Sequence, residues 1–258
     1  YFIRRRSRWA LYRKVLARYV QMATAGGVSQ GIFPEGGLSL TGELMPPKLG
    51  LLSYLVEGQE QVERDIVFVP VAINYDRVLE DRVLIAAAQR GDRRFGARIS
   101  VVVRFILRKF WQGLRGRYVR FGTAAVAFGT PLSLQEFGPE RPIEALGAEL
   151  MHRIEEAMPV LIVPLLARHL KGAGGPMSNS ALVGLVTQDA QRLGQHMPSM
   201  TPQELSEAVE TGLAGMARNK LVTQGDTGWE IRPGEDAVID FYAASIAHRF
   251  DDNRAVAE

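Results

Sequence analysis

The chain has 258 residues, 47% of them hydrophobic and 23% charged, with a net charge of +3. That is the composition of a globular protein long enough to bury a substantial core in one or two domains, which excludes collagen-like and disordered classes. Cysteine is absent, so there is neither a disulfide framework nor a thiolate metal site. No apolar run reaches the roughly 18 residues of a spanning helix; the longest, 158–167, is interrupted by Pro159 and Pro164.

In chain order, residues 1–5 read as a strand and 9–24 as a helix, with Trp9, Tyr12, Leu16, Tyr19 and Ala23 at helical spacing on a face expected in the core. Gly26 and Gly27 end that helix. Residues 28–33 read as a buried strand that Pro34 terminates. The loop after it carries Glu35, then Gly36 and Gly37, which let backbone approach a ligand, then the hydroxyls of Ser39 and Thr41. A strand delivering a carboxylate, bare backbone and hydroxyls at one edge suits the ligand site of an open α/β sheet. Residues 48–56 fit a short helix ending at Gly58. Residues 66–75 form a near-continuous apolar run, expected as a strand covered on both faces, with Pro70 marking an edge or bulge. Arg77, Glu80, Asp81 and Arg82 are expected to pair among themselves. Residues 118–128 read as a final strand.

After about residue 142 the texture becomes helical. Residues 143–157 form a charged amphipathic helix in which His152 is a surface or half-buried residue and not a ligand, since no second histidine lies at metal-ligand spacing. The stretch 172–176 is a glycine-rich hinge. Residues 180–193 are helical, and Thr201-Pro202-Gln203-Glu204 is a capped helix start. Residues 221–224 and 229–232 form a hairpin across Gly225-Asp226-Thr227-Gly228. Two helices and a hairpin outline a winged-helix module, whose usual partner is nucleic acid. Glu204, Glu207 and Glu210 on the second of those helices would repel phosphates, so nucleic acid is not expected as a partner.

Basic residues cluster twice: Arg4, Arg5, Arg6, Arg8, Arg13, Lys14 and Arg18, then Arg104, Arg108, Lys109, Arg115, Arg117 and Arg120 among Phe105, Phe110, Trp111 and Tyr118. Such clusters attract phosphates on lipids, coenzyme A or nucleic acid. The helical region 98–111 is therefore expected to lie against an anionic membrane surface.

The stretch Phe33-Pro34-Glu35-Gly36-Gly37-Leu38-Ser39-Leu40-Thr41-Gly42, followed by Pro47-Lys48-Leu49-Gly50, resembles the third conserved block of the bacterial glycerol-3-phosphate acyltransferases, members of the wider phospholipid and glycerol acyltransferase group. Tyr1-Phe2-Ile3-Arg4-Arg5 is similar to the second block and Val69-Pro70-Val71-Ala72-Ile73-Asn74-Tyr75 to the fourth. Residues 240–248 are similar to a helix found after the catalytic domain in bacterial members. The resemblance implies transfer of a fatty acyl group from acyl-CoA or acyl carrier protein to the sn-1 hydroxyl of glycerol 3-phosphate, in phospholipid synthesis, by a peripheral enzyme on the cytoplasmic face of the membrane. It implies no cofactor and no metal. Arg4 and Arg5 would grip the phosphate; Glu35, Gly36, Gly37, Ser39, Thr41 and Pro70 would line the acceptor site.

Two departures qualify this. Leu38 and Leu40 stand where the family usually has phosphate-holding arginines, which leaves open another acceptor, such as a lysophospholipid or an alcohol. A non-catalytic winged-helix-like membrane or nucleic-acid module is the remaining alternative. The family's first block, a histidine followed five positions later by aspartate, is also missing. The residues five after His152, His169, His196 and His248 are Ala157, Gly174, Thr201 and Asn253. The pair is expected upstream of Tyr1, so the chain reads as an N-terminally truncated fragment, inactive alone. The expected fold is α/β: a partial acyltransferase core over 1–141, with a mixed sheet flanked by helices, then a mainly helical region with a β-hairpin over 142–258.

Overall fold

A computed structural model describes residues 9–59, 64–78, 81–90 and 122–251. Arg4, Arg5 and the basic stretch 98–120 lie outside the described residues. The elements in order are α1 (Ala10–Ala25), α2 (Gly50–Gly58), β1 (Val67–Phe68), β2 (Val71–Tyr75), α3 (Asp81–Arg90), β3 (Ala124–Phe128), β4 (Leu132–Ser133), α4 (Leu134–Phe137), α5 (Ile143–Ala157), α6 (Ile162–Ala173), α7 (Asn179–Leu193), α8 (Pro202–Arg218), β5 (Val222–Gly225), β6 (Gly228–Ile231) and α9 (Asp236–Ala244). The α/β class is as expected. Among the described residues the strands form three two-stranded ladders: β1 with β4, β2 with β3, and β5 with β6. Val67 faces Ser133 and Phe68 faces Leu132, antiparallel. Pro70 accepts from Gly129 N–H at one end of the second ladder, and Thr123 accepts from Asp76 N–H at the other.

The chain divides into two compact units. The first comprises Tyr1–Ser39, Leu44–Ile73 and Val126–Pro159; the second comprises Leu40–Glu43, Asn74–Ala125 and Val160–Glu258.

In the first unit, α1 and α2 pack together. Val20 is the buried residue of α1, and a Cβ on Gly58 of α2 would lie 2.7 Å from the Gln21 side chain, so only glycine fits there. A small core gathers Leu52, Leu132, Leu134 and Leu146, with Leu49, Ile66, Phe68 and Leu150 packed against it. Three sequence expectations fail in this unit. Residues 28–33 are not a strand, and Phe33 is 83% exposed; with Ser29, Gln30 and Gly31 inside it, the run lacks the alternation that holds a strand in register. The 66–75 run is two strands, not one, because Pro70 cannot donate to a ladder. β2 alternates exposed and buried, so it is covered on one face only. The aromatic face of α1 is not core: Trp9 and Tyr19 are exposed, while Tyr12, Leu16 and Ala23 are half-buried.

The second unit holds the larger core. Leu165, Leu166 and Ala167 of α6, Leu182 and Val186 of α7, Val209 and Leu213 of α8, and Ile239 of α9 are fully buried. α6 was legible only as an apolar run; Pro164 falls in its first turn, where no intrahelical N–H bond is lost. The capping box at Thr201 is present, with Glu204 N–H donating to Thr201 Oγ1 and Thr201 N–H to Glu204 Oε2. Met177 pairs antiparallel with Trp229 through an isolated bridge beside the β5–β6 hairpin. α7, α8 and the hairpin follow in the order of the winged-helix outline. The Arg82 guanidinium pairs with Glu235 at 2.9 Å, while its backbone N–H donates to Asp81 Oδ1.

Candidate functional site

The loop after α1 is shaped by two hydrogen bonds. Gly36 N–H donates to the Phe33 carbonyl at 2.9 Å, closing a tight turn around Pro34 and Glu35, and Lys48 N–H donates to the Pro34 carbonyl at 2.8 Å. Gly36 has φ +64, a left-handed backbone that glycine adopts without strain. A Cβ there would sit 2.7 Å from Lys48 Cδ and 3.3 Å from its Nζ. The lysine stem therefore lies on the bare glycine backbone, with its ammonium at the same turn as Glu35.

Glu35 is half-buried, and its Oε2 accepts from Met45 N–H at 3.0 Å. Burial pushes its pKa up, and the Met45 hydrogen bond opposes that only in part. The turn thus presents one cation, one carboxylate whose pKa burial raises, and glycine backbone. Such a set can hold a polar, partly anionic small molecule and orient a hydroxyl.

Of the predicted residues, Glu35, Gly36 and Gly37 share this turn with Ser39 a few residues on. Gly37 is exposed and Ser39 half-buried. Thr41 belongs to the second unit, where its Oγ1 accepts from Glu43 N–H. Pro70 is buried at the break between β1 and β2. Arg4 and Arg5 lie outside the described residues. Sequence reasoning did not assign Lys48 a role at the site, although Pro47-Lys48-Leu49-Gly50 was the signal that could have found it.

The histidines have other partners. His152 lies 3.6 Å from Glu156 on the surface of α5, and His169 Nε2 is 2.7 Å from Asp189 Oδ2 between α6 and α7. Among the described residues no group of three or more His, Asp or Glu side chains is placed to hold a metal ion, and no helix is long and apolar enough to cross a membrane.

The second unit has a cavity of about 730 Å³ walled by Val160, Ile162, Met197 and Met216, with Asp76 and Tyr242 among its polar lining. Asp76 Oδ1 accepts from Val163 N–H at the start of α6, and burial raises its pKa against the hydrogen bonds from Val163 and Thr123. The outer face of α8 exposes Glu204, Glu207 and Glu210. A winged helix reading DNA needs a cationic face there, so the electrostatics oppose nucleic-acid binding.

Residues 1–74 match the Acyltransferase family. The chain is 27% identical over 275 residues to acyltransferase plsB1 of Mycobacterium tuberculosis, covering all of this chain and 43% of that protein. It is 34% identical over 184 residues to the glycerol-3-phosphate acyltransferase of Pseudomonas aeruginosa, covering 69% of this chain and 21% of that protein. The corresponding Xylella fastidiosa enzyme is 30% identical over 173 residues, covering 66% and 19%. The chain therefore spans less than half the length of these curated relatives.

Proposed function

We propose that this chain, whose first 74 residues carry part of an acyltransferase domain, belongs to an enzyme that moves a fatty acyl group from acyl-CoA or acyl carrier protein to the sn-1 hydroxyl of glycerol 3-phosphate. The observation that carries the reading is the turn at Glu35, closed on Gly36 and covered by Lys48, within the stretch that matches the family. Lys48 adds a cation where Leu38 and Leu40 replace the family's arginines. Arg4 and Arg5 would supply the bidentate grip on the acceptor phosphate. Glu35 and the Gly36-Gly37 backbone would position the glycerol, with Ser39 and Pro70 completing the acceptor side.

An alcohol is a poor nucleophile at neutral pH, so a general base must take its proton during attack on the thioester. The hydroxyl oxygen bonds to the acyl carbon, the carbon–sulfur bond breaks, and the thiol leaves with a proton. In the family the base is a histidine oriented by an aspartate five residues on, and none of the four histidines here has that spacing. The residues of this chain serve binding and orientation. The enzyme would work as a peripheral protein on the cytoplasmic face of the membrane, where its product is used.

The test uses the full-length protein with labelled acyl-CoA and glycerol 3-phosphate. Arg5→Ala and Lys48→Ala are each expected to lower kcat/KM for glycerol 3-phosphate by about 100-fold, as loss of a charged contact to a bound anion does, and Glu35→Ala by about 10-fold through lost positioning of the glycerol. Unchanged lysophosphatidic acid formation in all three would refute the site. Faster turnover of a lysophospholipid or alcohol in an acceptor panel would replace glycerol 3-phosphate as the acceptor.

A further inference from the structure

The cavity in the second unit is lined by residues of that unit alone. Its volume of about 730 Å³ is far above the voids of ordinary packing and inside the range of ligand pockets, roughly 300–1,000 Å³. Val160 and Ile162 at the start of α6, Met197 and Met200 before α8, and Met216 of α8 give it an apolar wall. Its lining follows α8 from Glu204 to Asn219, which at 1.5 Å per residue is about 22 Å. One lipid tail spans half of a bilayer's hydrocarbon core, about 15 Å.

Two glycines of α8 line this cavity, and they differ. A Cβ on Gly212 would lie 2.9 Å from Leu166 Cδ1 and 3.2 Å from Ile162 Cγ2, so the packing of α8 on α6 requires glycine there. A Cβ on Gly215 would meet nothing within 4 Å. Glycine inside a helix is destabilising relative to alanine, and no contact among the described residues calls for it at Gly215. Its effect is to keep the recess open alongside α8.

The polar side chains around the cavity are already engaged within the protein. Asp76 Oδ1 accepts from Val163 N–H. Tyr242 Oη donates to Asp81 Oδ2 at 2.8 Å and accepts from Val78 N–H at 3.1 Å. Arg82 pairs with Glu235, and Glu204 closes the capping box with Thr201. A polar ligand would have to break these bonds, whereas an alkyl tail asks for none of them. The flexible thioether side chains of Met197, Met200 and Met216 can fit themselves to such a tail.

We propose that this cavity binds the tail of a long-chain fatty acyl group. The class of ligand rests on the acyl-transfer reading above; the cavity, its walls and the room at Gly215 do not.

The test titrates the full chain with cis-parinaric acid, a fluorescent fatty acid whose emission rises in a dry pocket, then displaces it with palmitate or octanoate. Binding should be saturable, and palmitate should displace the probe at least about tenfold more effectively, because each further buried methylene favours the bound state. Gly215→Leu should weaken binding by about tenfold or more, since the leucine occupies the tail's space. Met200→Glu, at a rim position that is 37% exposed, should weaken it by about fivefold by bringing a charge beside the tail. Circular dichroism checks that each variant keeps its helices, and Met200→Glu decides the matter if Gly215→Leu does not. Equal affinity of wild type and the folded variants, or no preference for palmitate over octanoate, would overturn the proposal. Parinarate binding is read without glycerol 3-phosphate, so the two assignments fail separately. Saturable, variant-sensitive binding without transfer to glycerol 3-phosphate would sink the acceptor reading alone, and transfer without such binding would sink the cavity alone.

Discussion

The two units solve the same burial problem differently. The second gathers residues from α6, α7, α8 and α9 into one core in which Leu165, Leu166, Leu182, Val209 and Leu213 reach zero exposure. Among the described residues the first unit's cluster buries Leu52, Leu132, Leu134 and Leu146, and Val67, Val126 and Phe128 are largely exposed. Burial of apolar area is the main favourable term in folding. The helical unit therefore has what it needs to be stable, whereas the unit carrying the Glu35 turn keeps apolar surface available for contacts of its own. The deeper core therefore lies in one unit and the Glu35 turn in the other.

The largest effect should come from the deeper core. Leu166→Ala is expected to cost about 4 kcal/mol, because a fully enclosed leucine leaves a cavity that cannot collapse. Leu146→Ala, in the thinner core, is expected to cost about 2 kcal/mol. Urea unfolding of both variants checks this; equal costs would break the contrast between the units.

A smaller effect sharpens it. Asp76 holds the first turn of α6 through Val163 N–H, so Asp76→Ala should cost about 1–2 kcal/mol, as loss of a helix cap does. Asp76→Asn keeps the acceptor and should cost less. Because burial raises the pKa of Asp76 in the folded state, the folded protein binds the proton more tightly than the unfolded chain. Stability from this group is full below its ordinary value of 3.8 and falls as pH rises through the raised value. Asp76→Asn should remove that slope, measured as the difference between the two urea midpoints across pH 4–8. Glu35 has the same sign, for the same reason. The smallest effect is at α8: Thr201→Ala removes one arm of the capping box and should cost about 1 kcal/mol by thermal unfolding.

Much of the helical half was legible because its signals are local. The ends of α5 were read to the residue. The start of α8 was fixed by Thr201, Pro202 and Glu204, and the hairpin by Gly225 and Gly228. The strands were less legible because pairing is decided by distant residues. Pro70 split one apolar run into β1 and β2, and its carbonyl is taken by Gly129. Residues 28–33 resembled a strand in composition but join no ladder among the described residues. α3 was not legible because the charges around Asp81 read as a polar loop beside the helix-forming run Val83-Leu84-Ile85-Ala86-Ala87-Ala88. At the candidate site the motif itself was plain. The grip of Met45 on Glu35, ten residues away, and the lysine laid over Gly36 depend on how the loop folds back, which no short-range pattern encodes.

The pairing of Met177 with Trp229 has a practical use. The indole of Trp229 is half-buried in the second unit, while Trp9 stands at the solvent-facing start of α1. Replacing Trp9 and Trp111 with phenylalanine leaves one fluorophore that reports the helical half alone. A red shift of its emission on heating would then time the melting of that half independently of the Glu35 loop.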